Sequence, residues 1–165
     1  MKDMKILAPV KGAVIPLEEV PDEVFASKVL GDGVGIIPEE GKIYSPVDGK
    51  IAAITDSLHA YSFETDDGVE MIVHFGLETV SLKGKGFTSK VKVGDKVKAG
   101  DLIAEVDLDY LKEKEIQTIT PVIICGGVQF DDMKVEYGKV DAKSVLMSKK
   151  VKEAPQKAEK KVEKK

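Results

Sequence analysis

The chain consists of short runs of β-prone residues, each of which stops at a glycine, a proline or an aspartate. Runs such as KIYSPV, HAYSFET, EMIVHF and PVIIC are rich in Val, Ile, Tyr and Phe, and turn segments such as PVDG, DDG, KGKG and KAGD separate them. Close turns of this kind favour antiparallel pairing, because parallel strands need a crossover of about a dozen residues. The sequence therefore predicts an all-β fold, an antiparallel β-sandwich or barrel, with a short helix from Asp107, which can cap it.

Two segments near the start of the chain repeat one pattern. ILAPVKGAV from Ile6 and IYSPVDGKI from Ile43 share Ile, Pro-Val, Gly and a following aliphatic residue. A third segment, VKVGDKVKAGDLI from Val91, has the turn pattern of small β-sandwich carrier modules. We therefore expect an internally duplicated β unit. The glycine-rich GDGVG from Gly31 is interpreted as a turn, since no helix that could hold a phosphate is predicted after it.

Charge divides the chain into a body and a tail. The net charge is −4, whereas residues 148–165 contain eight lysines and three glutamates, which is +5 and leaves −9 for residues 1–147. Residues 1–147 are predicted to form the domain, and residues 148–165 a Lys-rich, disordered tail. Without a long apolar run, no membrane insertion is expected. The single cysteine, Cys125, excludes an intramolecular disulfide and fits a reducing cytosol.

Only two histidines occur in the chain, and one of them, His74, lies at the end of an apolar run two residues before Gly76. Alternation along a strand puts His74 on the same face as Ile72 and opposite an entirely apolar face. His59 lies 15 residues earlier, and the turn DDG between the two indicates a hairpin. Such a hairpin could bring the two rings together.

On the residues alone, several roles are open for this histidine pair. A lone strand histidine is often structural. Neutral imidazole, with a pKa of about 6.5, is also a nucleophile at neutral pH, and one ring could attack phosphorus while the other donates a hydrogen bond. The pair could instead begin a zinc site, although a catalytic zinc needs a third protein ligand. Because the chain has no arginine, phosphate recognition would depend on lysine, histidine, hydroxyl and backbone N–H groups.

The segment GVEMIVHFGLETVSLKGKGF, residues 68–87, resembles the signature of the IIA domains of the glucose class of bacterial sugar phosphotransferase systems. Further segments occur in the family's order, namely APVKG, VPDEVFASKVLGDGVGI, SPVDGKI, HAYSFETDDG, VKVGD and ITPV, so the resemblance covers residues 6–147. It implies an antiparallel β-sandwich with a few short helices. It also implies a phosphotransferase component that accepts a phosphoryl group on a histidine from the small carrier protein HPr. Such a component passes the group to a cysteine on the IIB domain of a glucose-type sugar permease.

The resemblance implies roles for four residues. His74 matches the phosphorylated histidine, and His59 matches its neighbour, which stabilises the phosphoryl group. Ser57 falls where the family often has a hydroxyl residue that orients this neighbour. Gly76 matches the glycine whose carbonyl holds the other ring nitrogen of the phosphoacceptor.

The family's partner surface is an apolar ring around the histidines with acidic residues at its rim. The matching residues here are Asp22, Val24, Phe25, Val29, Leu30, Ile72, Glu78 and Val80. Thr55 and Ile72 stand where some members have phenylalanine, which leaves the preference for partners open.

The expected partners are HPr and the IIB domain of a sugar permease, with no nucleic acid, no cofactor and no resident metal beyond adventitious zinc on His59 and His74. We expect a cytoplasmic monomer that meets the membrane only through its permease partner. A zinc-dependent peptidase of related β architecture is one alternative. A biotinyl- or lipoyl-type carrier module, suggested by VGDKVKAGD, is another.

Overall fold

Antiparallel strands make up most of the regular structure in the computed structural model, which describes residues 4–66, 68–125 and 133–149. The strands are β1 (Met4–Leu7), β2 (Gly12–Pro16), β3 (Gly31–Pro38), β4 (Lys42–Tyr44), β5 (Gly49–Ile54), β6 (Ala60–Glu64), β7 (Glu70–His74), β8 (Phe87–Ser89), β9 (Lys96–Val97), β10 (Leu102–Val106), β11 (Thr120–Cys125), β12 (Lys134–Val135), β13 (Gly138–Val140) and β14 (Val145–Lys149). The helices are α1 (Glu23–Ala26), α2 (Leu108–Glu113) and the 3-10 turns Leu17–Glu19 and Thr79–Leu82.

Within the described residues, these strands form one large and two small sheets. The large sheet has the order β13-β2-β3-β11-β7-β6-β5-β9, and the small sheets have the orders β4-β10-β8 and β1-β14-β12. The main core contains Tyr61 and Phe63 from the large sheet together with Ile103 and Leu146 from the small ones, all fully buried. The predicted antiparallel β-sandwich is confirmed, and the described strands close no barrel.

The two similar segments near the start of the chain form the same local unit. In each, a short strand leads through a Pro-Val loop into a longer strand, β1 into β2 and β4 into β5. The Leu7 N–H donates a hydrogen bond to the Pro46 carbonyl (2.9 Å), and the Tyr44 N–H donates one to the Pro9 carbonyl (2.8 Å). Each unit thus donates a backbone hydrogen bond to the Pro-Val loop of the other, as expected for a duplicated β unit.

The glycine-rich segment from Gly31 is a strand, so the prediction of a turn there is wrong. This strand, β3, pairs with β2 on one side and with β11 on the other. A Cβ at Gly33 would collide with the Val122 carbonyl, and one at Gly35 would lie 2.7 Å from the Val20 side chain. The glycines therefore allow neighbouring groups to approach β3 closely.

The helix predicted from Asp107 is present as α2. The Asp107 carboxylate accepts a hydrogen bond from the Tyr110 N–H at 3.0 Å, and Leu111 is fully buried. A capped first turn with one buried leucine explains how six residues remain helical between strands.

The C-terminal strand extends past the predicted domain boundary. Met147 lies inside β14, and Ser148 pairs with Lys5 of β1. The rest of the predicted Lys-rich tail, residues 150–165, lies outside the described residues. In the described part of the chain, no helix is long and apolar enough to cross a bilayer.

Candidate functional site

The hairpin formed by β6 and β7 brings the two histidines together. Ala60 of β6 pairs with His74 of β7, and the carbonyl of His59, directly before β6, accepts a hydrogen bond from the Phe75 N–H (2.7 Å). The ring centroids of His59 and His74 are 4.6 Å apart, and the rings meet edge to face at 79°. The predicted hairpin is therefore present, and its register places one imidazole against the other.

Alternation along β7 decides which side chains reach the surface. Met71, Val73 and Phe75 are fully buried, whereas Ile72 and His74 are half-buried on the opposite face. This is the arrangement that the sequence predicted.

The Gly76 carbonyl determines where the His74 ring carries its proton. His74 Nδ1 lies 2.7 Å from the Gly76 oxygen. Because a carbonyl only accepts hydrogen bonds, Nδ1 is the donor, and Nε2 of the neutral ring keeps its lone pair. Gly76 has a φ of +80°, and a Cβ there would lie 2.9 Å from the Gln117 carbonyl oxygen. Glycine is therefore the residue that suits this backbone conformation.

A hydroxyl group holds the second ring in the opposite tautomer. Thr55 Oγ1 lies 3.3 Å from His59 Nδ1 and accepts hydrogen bonds from the N–H groups of His59 (3.2 Å) and Ala60 (3.1 Å). Since these two bonds occupy both lone pairs of the oxygen, the hydroxyl donates its own proton to Nδ1. The neutral His59 ring then carries its proton on Nε2.

The resemblance implied a hydroxyl contact to this ring from Ser57, whereas in the structure the hydroxyl within reach of the ring is that of Thr55. Ser57 Oγ donates instead to the Val80 carbonyl, at 3.5 Å. Thr55 closes the turn into β6, since its N–H donates to the Ala60 carbonyl (3.1 Å), and its side chain therefore meets the start of that strand. A threonine four residues before the histidine was the indication available in the sequence.

Burial keeps both rings neutral at neutral pH. His59 is 4% exposed, and burial, together with the nearby His74 ring, lowers its pKa from 6.5 to about 4, although the Ser57 backbone carbonyl opposes part of this shift. Burial also lowers the pKa of His74, against the opposing effects of the Gly76 carbonyl and the Asp22 carboxylate. Two neutral rings in opposite tautomers offer one free nitrogen lone pair and one N–H donor.

The two rings line an open pocket of about 510 Å³. The hydroxyl residues Thr55, Ser57 and Thr79 and the exposed Val80 line it as well. Within the described residues, its lining contains no lysine. An anion in this pocket would therefore meet the neutral N–H of His59 rather than a strong cation, and the carboxylates of Asp56 and Glu78 also belong to the lining.

A zinc site on this pair would need a third ligand. Among the described residues, no group of three histidine, cysteine, aspartate or glutamate side chains is placed to hold a metal ion. His59 and His74 thus have no third ligand there to complete a zinc site.

Several of the apolar residues that the resemblance implies for the partner surface are exposed. Val24 of α1 is 52% exposed, Val29 after it 77%, and Val80 of the pocket lining 62%; Leu30 is also exposed. Asp22 caps α1 by accepting a hydrogen bond from the Val24 N–H (3.0 Å).

Phe25, which the resemblance implied as part of this surface, is instead buried. It is 7% exposed, and its ring centroid is 5.1 Å from that of His74. It packs in a second core cluster with Leu17, Val20, Leu77 and Ile123. The single turn of α1 therefore directs Phe25 inward, where its ring packs beside that of His74.

Comparisons with known proteins identify the family. The family model described as phosphoenolpyruvate-dependent sugar phosphotransferase system, EIIA 1, matches residues 4–130. The glucose-specific EIIA component of the phosphotransferase system of Borreliella burgdorferi is 42% identical over 147 residues, which is 88% of this chain and 78% of the relative. That of Buchnera aphidicola is 43% identical over 141 residues, 86% of this chain and 88% of the relative. A glucose-specific EIICBA component of Staphylococcus saprophyticus is 48% identical over 122 residues, which is 74% of this chain and 18% of the relative.

A solved structure agrees with these sequence matches. Glucose permease IIA from Mycoplasma capricolum superposes with a TM-score of 0.84 at 38% identity, covering 90% of this chain and 96% of that one. The fold and the family match define a phosphocarrier component of a sugar phosphotransferase system. The chain belongs to the EIIA 1 family of the phosphoenolpyruvate-dependent sugar phosphotransferase system. These matches do not support the zinc-peptidase or the biotinyl- or lipoyl-carrier alternative.

Proposed function

We propose that His74 is the phosphoacceptor of this chain and that HPr is its phosphoryl donor. The observation that carries this proposal is the 2.7 Å hydrogen bond between His74 Nδ1 and the Gly76 carbonyl, which leaves Nε2 as a free nucleophile in a half-buried ring. Membership of the EIIA 1 family supports the same role, because the system to which this family belongs transfers phosphoryl groups.

The proposed transfer needs no proton movement at the acceptor. The His74 Nε2 lone pair forms the new N–P bond while the N–P bond of the donor phosphohistidine breaks, and the donor imidazole leaves with that electron pair. Nδ1 keeps its proton because the Gly76 carbonyl accepts its hydrogen bond. In the second step, a cysteine thiolate of the acceptor forms an S–P bond as the His74 N–P bond breaks, and Nε2 recovers its lone pair. Transfer of this kind depends on positioning and electrostatic stabilisation.

His59 is the proposed stabiliser of the phosphoryl group on His74. The two ring centroids are 4.6 Å apart, and the tautomer held by Thr55 provides an Nε2–H donor for phosphoryl oxygens. The negative charge of the phosphoryl group would also favour a proton on His59, whose pKa is lowered to about 4 in the free site. The donor therefore becomes stronger when the phosphoryl group arrives.

The proposed acceptor is a cysteine on the IIB domain of a glucose-type sugar permease. Two relatives are named glucose-specific EIIA components, and in the Staphylococcus saprophyticus EIICBA component the matching segment is 18% of a longer chain. A carrier that meets a permease through such a domain would work in the cytoplasm. We propose that it does so as a monomer without a cofactor.

Both partners are proposed to dock on exposed apolar residues of the pocket lining, of α1 and of the segment that follows α1. We call these residues the docking surface: Val24, Val29, Leu30 and Val80. Apolar residues around a polar centre are typical of protein interfaces. Asp22 and Glu78 add negative charge at the rim, which would steer a basic partner. Ile72 packs against the second core cluster on the same face of β7 as His74 and so supports this surface.

Measurement of intact mass after incubation with HPr, its phosphorylating enzyme and phosphoenolpyruvate tests this function. The wild type should gain one phosphoryl group, and His74→Ala should gain none. His59→Gln should still accept the group but pass it to a IIB domain about 10²–10⁴-fold more slowly. Normal labelling of a folded His74→Ala protein would refute the assignment of the acceptor. Equal loss of both steps in His59→Gln would instead show that His59 positions the site as a whole.

A further inference from the structure

Thr55 connects the backbone of the turn between β5 and β6 to the imidazole of His59. Its Oγ1 accepts hydrogen bonds from the N–H groups of His59 (3.2 Å) and Ala60 (3.1 Å) and lies 3.3 Å from His59 Nδ1. These three contacts use the full hydrogen-bonding capacity of one hydroxyl, two acceptor sites and one donor. In the described part of the chain, no other side chain hydrogen-bonds the His59 ring, although the Ser57 backbone carbonyl also acts on it and opposes the lowering of its pKa.

We propose that Thr55 is a positioning residue for phosphoryl transfer, and that its hydroxyl fixes the His59 tautomer so that Nε2–H is available to the phosphoryl group. This inference rests on the proposed function of the histidine pair. It assigns to Thr55 the hydroxyl contact that the resemblance implied for Ser57, whose own hydroxyl donates to the Val80 carbonyl.

The tautomer matters because a neutral imidazole has a single N–H. If the proton were on Nδ1, Nε2 would present a lone pair to the phosphoryl oxygens, and the lone pair and the anion would repel each other. The Thr55 hydroxyl disfavours that tautomer, because its oxygen already accepts two backbone hydrogen bonds and cannot accept a third from Nδ1. The same residue closes the turn through its N–H, which donates to the Ala60 carbonyl (3.1 Å).

Nitrogen-15 NMR of the histidine rings in the unphosphorylated protein at pH 7 tests this proposal directly. The chain has only two histidines, so all four ring nitrogens can be assigned. His59 should be protonated on Nε2 and His74 on Nδ1. Thr55→Val removes the hydroxyl at nearly constant shape and should move His59 toward a mixture of tautomers, and Thr55→Ser should restore the wild-type pattern. Thr88→Val, the same change at an exposed residue of β8, is the matched control and should leave both rings unchanged.

Onward transfer provides the functional measurement. In Thr55→Val, transfer from phosphorylated His74 to a IIB domain should slow by about threefold to tenfold, the loss expected for one hydrogen bond, while acceptance from HPr changes little. Thr55→Ser should recover the rate together with the wild-type tautomer of His59.

Three results would overturn the role of Thr55. These are a wild-type His59 protonated on Nδ1, an unchanged tautomer in folded Thr55→Val, and a tautomer change in Ser57→Ala. Because the NMR experiment uses unphosphorylated protein, it does not depend on His74 being the acceptor. A failure of His74 to become phosphorylated would count against the proposed function, and it would be distinguishable from a failure of the Thr55 proposal.

Discussion

Acidification from pH 7 to pH 5 should destabilise this fold through His59. The ring is 4% exposed, and its pKa is lowered from 6.5 to about 4 in the folded protein. Between these values the unfolded chain binds a proton that the folded protein does not, so stability falls as the pH falls. The contribution of this group is complete above about pH 6.5 and is lost as the pH approaches the folded pKa of about 4.

The size of the effect follows from the two pKa values. At pH 5 the His59 side chain is mostly protonated in the unfolded chain and mostly neutral in the folded protein, whereas at pH 7 it is mostly neutral in both. Proton linkage with these values gives a loss of about 2 kcal/mol in the free energy of unfolding between pH 7 and pH 5. Burial lowers the pKa of His74 as well, which adds a loss in the same direction.

Urea unfolding of the wild type and of His59→Gln at pH 7, 6 and 5 separates this effect from other titrations. Carboxyl groups with ordinary pKa values of about 4 titrate mostly below this range and are common to both proteins. The wild type should therefore lose about 2 kcal/mol more than the variant. Equal pH dependence in the two proteins would refute the reasoning, because it would mean that His59 is protonated as readily in the fold as in the unfolded chain.

Three further predictions concern the core, the docking surface and the C-terminal segment. Phe25→Ala should lower the free energy of unfolding by about 3–5 kcal/mol in chemical denaturation, since the side chain is buried in the second core cluster, and a negligible loss would contradict that placement. Val29→Ser should weaken HPr binding in titration calorimetry without a change in stability. Val93→Ser, a change at a similarly exposed valine outside the docking surface, should alter neither, and equal effects of both would argue against the docking surface. A chain that ends at Lys149, the last residue of β14, should accept and donate phosphoryl groups at the full-length rate, and a slower rate would make residues 150–165 part of the active module.

The features predicted correctly from sequence are those with a local physical cause. Side chains alternate along any strand, so the pattern EMIVHF was sufficient to separate the buried Met71 and Val73 from Ile72 and His74. The cap at Asp107 spans only three residues, and it formed as predicted. The turn between β6 and β7 is equally local, and the antiparallel pairing that follows from it brings His59 beside His74.

Tertiary structure decided the features that depend on contacts with other segments of the chain. The glycines of β3 suggest a turn when they are considered in the sequence alone. In the structure, β2 and β11 pair with β3 on its two sides, and neighbouring groups approach its glycines so closely that an added Cβ would collide with them. Phe25 lies in a helix of one turn, which is too short to show a buried face, and the second core cluster determines its direction.

The choice between two nearby hydroxyls was also decided in three dimensions. Thr55 and Ser57 lie within four residues of His59, and only the closure of the turn between β5 and β6 brings the Thr55 oxygen to Nδ1. The low pKa of His59 also arises only in the folded protein, because it depends on burial and on the nearby His74 ring. Sequence alone thus determined which residue types are available at the candidate site. Packing determined their tautomers, their charge and the groups that hold them, since those depend on contacts that form only in the folded protein.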